Sequence, residues 1–302
     1  MTKNTLFKIL SISLLTTFSS CNFNSVIFGP WKNAPSSRNF SWKQGNDTIH
    51  LSFNGSNYQP TYIRNQKDTI KFDFSIESVV FKSANGNLLN GWFLIPKNKQ
   101  NNITILHLHG NAGNLSSQLN TISPLVKQGF QVFMFDYSGY GYSEGSPSKE
   151  NILVDANSAF DYLKNREKLK KDKFVIYGQS LGGCIGVVLG EQRQKEIDGL
   201  IIEGAFTSYK GMASNYLPVI GSSLVAQDYS AISSIEKFHK PILIIHSKED
   251  QVIPFKMGKE LYEKANNPKE FFEINGFHIC GAINYPNEIA LKIRHLVNDT
   301  AL

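Results

Sequence analysis

At 302 residues the chain is long enough for one large domain with a proper core, or for two small ones. Its residues are 41% hydrophobic, 12% aromatic and 19% charged, ordinary for a globular protein, which excludes disordered and fibrous classes. The net charge is +6, and removing a leader that carries Lys3 and Lys8 leaves +4, too modest and too scattered for a nucleic-acid partner.

The N-terminus reads MTKNTLFKILSISLLTTFSSCNFN. Two lysines, a short apolar run from Ile9 to Phe18 and then small residues form a secretory signal. The run is about ten residues, short of the ~20 a spanning helix needs. The SSC ending resembles the lipobox of bacterial lipoproteins, although Phe18 stands where that motif usually has Leu. The resemblance implies that residues 1–20 are removed and that Cys21 carries lipid. The protein would then be exported to a bacterial cell envelope and anchored in its membrane. An ordinary signal peptide ahead of an incidental cysteine is the alternative. Only Cys184 and Cys280 then remain, and two free, buried thiols are expected over a disulfide.

Residues 21–69 are rich in Asn, Ser, Gly and Pro and read as a tether followed by irregular structure, with one strand near TIHLSF. The domain proper is expected over 70–302. TIKFDFSIESVVF alternates as a half-buried strand, and ANGNLLNGWFLIP adds an Asn-Gly turn and a second strand, a hairpin. Beyond residue 100, ITILHLH, QVFMFDY, KFVIYG, GLIIEG, PILIIHS and EFFEI read as buried strands. Helices are expected at SSQLNTISPLVKQ, KENILVDANSAFDYLKNRE, LGGCIGVVLGEQ, FKMGKELYEKA and PNEIALKIRHLV. In the second of these, Ile152, Ala156, Ala159, Phe160 and Leu163 share one face. Such alternation predicts an α/β fold, a mostly parallel central sheet with helices on both faces. The stretch between GLIIEG and PILIIHS is too short for a large lid.

Gly178-Gln179-Ser180-Leu181-Gly182 joins a strand to a helix and fits G-x-S-x-G, a turn that presents a strained serine at a helix N-terminus. A serine hydroxyl needs a base, and the base needs a group to hold its tautomer. Asp250 follows the strand PILIIHS and His278 follows EFFEI, so both reach the sheet edge that carries Ser180. Glu249 is the second candidate acid. The loop HLHGNAGN is expected to supply an oxyanion hole from the backbone amides of Asn111 and Leu181.

HLHGNAGN, DYSGYGYSEG, GQSLGG, EGAFTS, KEDQVIPF and GFH together resemble the α/β-hydrolase fold family over roughly residues 70 to 302. They look most like its lidless branch, which holds serine-aminopeptidase-like hydrolases and membrane-associated α/β-hydrolase-domain proteins. The resemblance implies a Ser180–His278–Asp250 triad cleaving a carboxylic ester or acyl thioester, with no metal or organic cofactor. The expected partners are an acyl-bearing or small-molecule substrate and, through the lipid, a membrane. Many relatives carry Arg where this chain has Ser138; Asp136 through Gly141 read as a structural loop, with Tyr137 a pocket wall. Phe206, Tyr209, Tyr216 and Phe277 are candidates for an apolar acyl pocket. Two alternatives stay open: a serine aminopeptidase, for which Glu203 is the residue available to hold a free amine, and a surface lipoprotein that binds without catalysis.

Overall fold

The computed structural model describes residues 28–99, 101–216 and 229–298. The leader and Cys21 lie outside the described residues. No described helix is long and apolar enough to cross a membrane.

In chain order the strands are β1 (Gly29–Pro30), β2 (Asn39–Gln44), β3 (Asp47–Asn54), β4 (Gln59–Arg64), β5 (Asp68–Thr69), β6 (Phe74–Lys82) and β7 (Leu88–Pro96). They continue with β8 (Ile103–Leu108), β9 (Ala112–Gly113), β10 (Gln131–Phe135), β11 (Lys173–Gln179), β12 (Gly199–Glu203), β13 (Ile242–Ser247) and β14 (Lys269–Ile274). The helices are α1 (Leu115–Lys127), α2 (Lys149–Lys164), α3 (Leu181–Arg193), α4 (Tyr209–Tyr216), α5 (Ala231–Ile235), α6 (Phe255–Lys264), α7 (Gly281–Asn284) and α8 (Pro286–Asn298).

Eight strands form the central sheet in the order β14-β13-β12-β11-β8-β10-β7-β6. The six from β14 to β10 run parallel, and the β6–β7 hairpin closes one edge antiparallel. The inner strands are buried along their whole length because helices cover both faces. Alternation divides their side chains between two cores. Leu106, Leu108, Ile176, Leu200, Ile202, Ile242 and Ile244 face the layer of α2, α3, α5 and α6. Ile103, Ile105, Val175, Ile201, Leu243 and Ile245 face α1 and α8. The five residues expected on one face of α2 are all buried. The fold is thus the α/β-hydrolase fold, with no large lid among the described residues.

Residues 39–69 correct the expectation of irregular structure. They form a four-stranded antiparallel sheet, β2-β3-β4-β5. Ile49, Leu51 and Phe53 alternate inward along β3, so one face is apolar while the polar face and turns gave the segment its loop-like composition. The apolar face packs on the hairpin and on the loop after β10: Phe53 meets Trp92 and Tyr142, and Tyr58 stacks on Tyr142 at 4.1 Å. Gln59 satisfies the otherwise open edge of β6, donating to Ile76 O at 2.8 Å and accepting from Ser78 N at 3.0 Å. Cys184 and Cys280 are both free and buried, in different cores, as expected.

Candidate active site

Ser180 follows the last residue of β11 and is the N-cap of α3, with φ 56° and ψ −116°. A non-glycine residue held there is strained, and the surroundings must impose the conformation. They do so by close packing. A Cβ on Gly182 would overlap the carbonyl oxygen of Leu108 and stand 2.6 Å from that of His109; one on Gly178 would stand 2.8 Å from Gly183 Cα. The glycines therefore let β11, β8 and the first turn of α3 approach to backbone contact. Ser180 N donates to Glu203 O at 2.8 Å, while its hydroxyl makes no hydrogen bond among the described residues.

Asp250 lies three residues past β13, its side chain 1% exposed. Its Oδ1 accepts from the amides of Val252 at 2.9 Å and Ile253 at 2.8 Å, a local turn that aims Oδ2 at His278 Nδ1, 2.6 Å away. Because a carboxylate only accepts, His278 carries its proton on Nδ1 and leaves Nε2 as a free base. Burial pushes the Asp250 carboxyl up, but the hydrogen bond and charge of His278 and the two loop amides outweigh it, and the net shift is downward. Asp250 is not a helix cap, since α6 begins at Phe255 after Pro254. Glu249, the second candidate acid, is engaged elsewhere and accepts from Gly276 N at 2.9 Å.

The described backbone brings these groups together. A Cβ on Gly110 would stand 3.5 Å from Ser180 Cβ, and one on Gly204 would stand 3.0 Å from His278 Cε1. The amides of Asn111 and Leu181 make no hydrogen bond among the described residues. That of Leu181 belongs to the first turn of α3, where unpaired N–H groups and the helix dipole favour negative charge.

The loop carrying Asn111 is fixed by residues that sequence reading assigned otherwise or missed. Tyr137 is no pocket wall: it is fully buried, and its hydroxyl donates to His109 O at 3.0 Å. Tyr140 donates to Asn111 O at 2.8 Å, and so does Gly29 N, also at 2.8 Å. The segment from Gly29 to Asn33 is thereby stitched along the loop, through Trp31 N to Gly113 O and Asn33 N to Gly141 O. Burial pushes His109 down to about 3, so it stays neutral, its ring tilted 40° against that of Tyr137 at 4.2 Å. Ser138 sits in a structural loop as expected, its amide on Asp155 Oδ2 and its hydroxyl accepting from Asn87.

Of the acyl-pocket candidates, Phe206 and Tyr209 are packed into the core against each other, and Phe277 is 61% exposed beside His278. The side chain of Tyr216 lies outside the described residues. Glu203 does not face solvent. It is 1% exposed, and both its oxygens are occupied by internal donors: Tyr177 OH and Gln179 Nε2, each at 2.8 Å, and Gly281 N at 2.5 Å.

Comparison with known proteins agrees with this architecture. Residues 103–221 match the family model described as alpha/beta hydrolase fold. The protein YfhR of Escherichia coli K12 is 39% identical over 215 residues, covering 68% of this chain and 74% of that protein. The alpha/beta hydrolase domain-containing protein WAV2 of Arabidopsis thaliana is 33% identical over 222 residues, covering 67% and 72%. Among solved structures, the Pyrococcus furiosus esterase Pf2001 superposes with a TM-score of 0.63 at 18% identity, covering 75% of this chain and 91% of that one. The esterase domain of a Rhodothermus marinus protein gives 0.58 at 20% identity, covering 74% and 100%. With the serine turn, the parallel sheet and these relatives in agreement, the chain belongs to the α/β-hydrolase fold family.

Proposed function

We propose that this protein is a serine hydrolase that cleaves a carboxylic ester or acyl thioester through an acyl-enzyme. His278 Nε2 takes the Ser180 proton as Oγ attacks the carbonyl carbon, and Asp250 steadies the imidazolium that forms. The carbonyl oxygen becomes an oxyanion held by the amides of Asn111 and Leu181. The imidazolium then protonates the departing alcohol or thiol. Water, deprotonated by the same histidine, attacks the acyl-enzyme and releases the acid with Ser180 restored. The observation that carries this reading is the pairing of a strained serine with an unbonded hydroxyl and a histidine locked by a buried carboxylate at 2.6 Å.

An aminopeptidase is disfavoured by Glu203, which is buried and turned to three internal donors rather than toward a substrate amine. The leader and Cys21 extend the proposal to an envelope enzyme anchored by lipid, acting on acyl groups presented to an open site. The test is the intact mass of residues 22–302 after incubation with a fluorophosphonate probe, beside Ser180→Ala. One adduct on the parent chain and none on the variant is expected. No adduct on folded protein would refute the hydrolase reading and favour a binding protein.

A further inference from the structure

Glu203 is a buried acid with three internal donors and no counter-ion among them. The donor chain has one direction. His107 Nε2 meets Gln179 Oε1 at 3.0 Å, which leaves the Gln179 amide nitrogen to donate to Glu203 Oε2, where Tyr177 OH also donates. A protonated Glu203 could turn its O–H only to the Tyr177 hydroxyl, 2.8 Å away, the one partner that can accept as well as donate. The cluster is thus built around the Glu203 carboxyl group, whose pKa burial pushes up against the opposing pull of its three donors.

The attachments of this carboxyl group explain its cost. Gln179 precedes Ser180, and the backbone oxygen of Glu203 itself accepts from Ser180 N. On the other side Gly281, the first residue of α7, lies three positions after His278. The backbone between them passes through Ile279 at φ 53°, a left-handed conformation that a β-branched residue adopts only under constraint. Gly281 itself must lack a side chain, since a Cβ there would stand 2.7 Å from Glu203 Oε1. The near end of the same loop is held separately, by Glu249 on Gly276 N and by Ser247 Oγ on Gly276 O.

We propose that Glu203 is a positioning residue: its carboxylate fixes the strained His278 loop at Gly281 while its backbone and Gln179 fix the Ser180 turn, so that one side chain sets base against nucleophile. The proposal rests on the serine-hydrolase reading. It requires Glu203 to act through His278, and a double-mutant cycle reads that directly.

The experiment measures kcat and KM for a 4-nitrophenyl acyl ester with the parent chain, Glu203→Gln, His278→Ala and the double variant, with circular dichroism as the fold check. Glu203→Gln should lower kcat about 10²-fold with KM little changed, the scale expected when a reacting group is misplaced by about 1 Å. In the His278→Ala background the same change should cost less than about 3-fold, because there is no base left to misplace. An alkyl ester, whose leaving group needs a proton from His278, should lose more than the nitrophenyl ester. An equal loss in both backgrounds, or no loss in the parent background, would overturn the proposal. If Glu203→Gln does not fold, Gly281→Ala, which presses on the carboxylate from the loop side, carries the same test with the same outcomes. Fluorophosphonate labelling of the parent chain separates the two failures: an unlabelled parent refutes the hydrolase reading, and a labelled parent without the cycle refutes the role of Glu203.

Discussion

Gly182→Ala adds one methyl group at the point where α3 meets the end of β8. Its Cβ would overlap Leu108 O and stand 2.6 Å from His109 O, and both obstacles are backbone. Restoring ordinary contact at about 3.5 Å means separating strand and helix by about 1.5 Å at Leu108 O. Overpacking of this kind costs about 1–3 kcal/mol. At roughly 2–4 °C per kcal/mol for a domain of this class, the melting temperature should fall by roughly 2–12 °C. The separation also moves the loop carrying Asn111 away from Leu181, so ester turnover should drop by about 10²-fold. Gly186→Ala, in the same helix, is the control. Its Cβ would meet Ile176 Cγ2 at 3.4 Å and Leu108 Cδ1 at 3.7 Å, ordinary contacts. There the helix gains about 0.5–1 kcal/mol from the loss of a glycine, and activity is retained. The assay is thermal unfolding beside steady-state hydrolysis for both variants. Equal effects, or a Gly182→Ala protein with the parent melting temperature, would refute the backbone-contact account of the elbow.

Burial pushes Asp136 up to about 8, while its Oδ1 accepts from Leu115 N. A raised carboxyl favours the protonated folded state, so its contribution is complete below the ordinary value near ~4 and is lost as pH rises through about 8. Asp136→Asn should therefore lose less stability than the parent between pH 5 and pH 8 (roughly the window between those values); parallel denaturation curves across that range would contradict it. Burial also raises Cys184 to about 12 and Cys280 to about 11, so a disulfide reagent should find no thiol in native residues 22–302 and two after denaturation. A chain starting at residue 70 uncovers Trp92 and Tyr142 and strips Gln59 from the edge of β6. Gel filtration should show it associating, whereas a chain starting at residue 22 runs as a discrete species.

Local signals made much of this molecule legible. Buried strands announce themselves as short apolar runs, and the glycines around Ser180 mark a turn whose steric demands are met within five residues. Asp250 and His278, which meet at 2.6 Å, can be paired from the sequence because each follows a strand that must end at the same edge. What escaped was carried by contacts distant in sequence. The sheet over residues 39–69 buries one face only, so its Ile49-Leu51-Phe53 alternation is diluted by Asn, Ser and Gly. Tyr137 reads as a pocket wall, and Tyr140 only as part of a structural loop, because nothing in DYSGYG reveals that their hydroxyls meet carbonyls near residue 110. Glu203 is the sharpest case. A strand-end acid says nothing of its surroundings until Tyr177 and Gln179 of β11 and Gly281 of α7 are seen converging on it.

Under the proposed lipid attachment at Cys21, the stitch between Gly29 and Asn111 would decide which face of the protein is held near the anchor. Gly29 and Trp31 bond directly to the loop proposed to hold the oxyanion. Seven steps separate Cys21 from Phe28, a leash of about 25 Å even at full stretch. A lipid on Cys21 would thus set a short working radius for the mouth of the proposed site, and lengthening the leash by inserted residues would widen the zone it can reach without altering any group proposed to react.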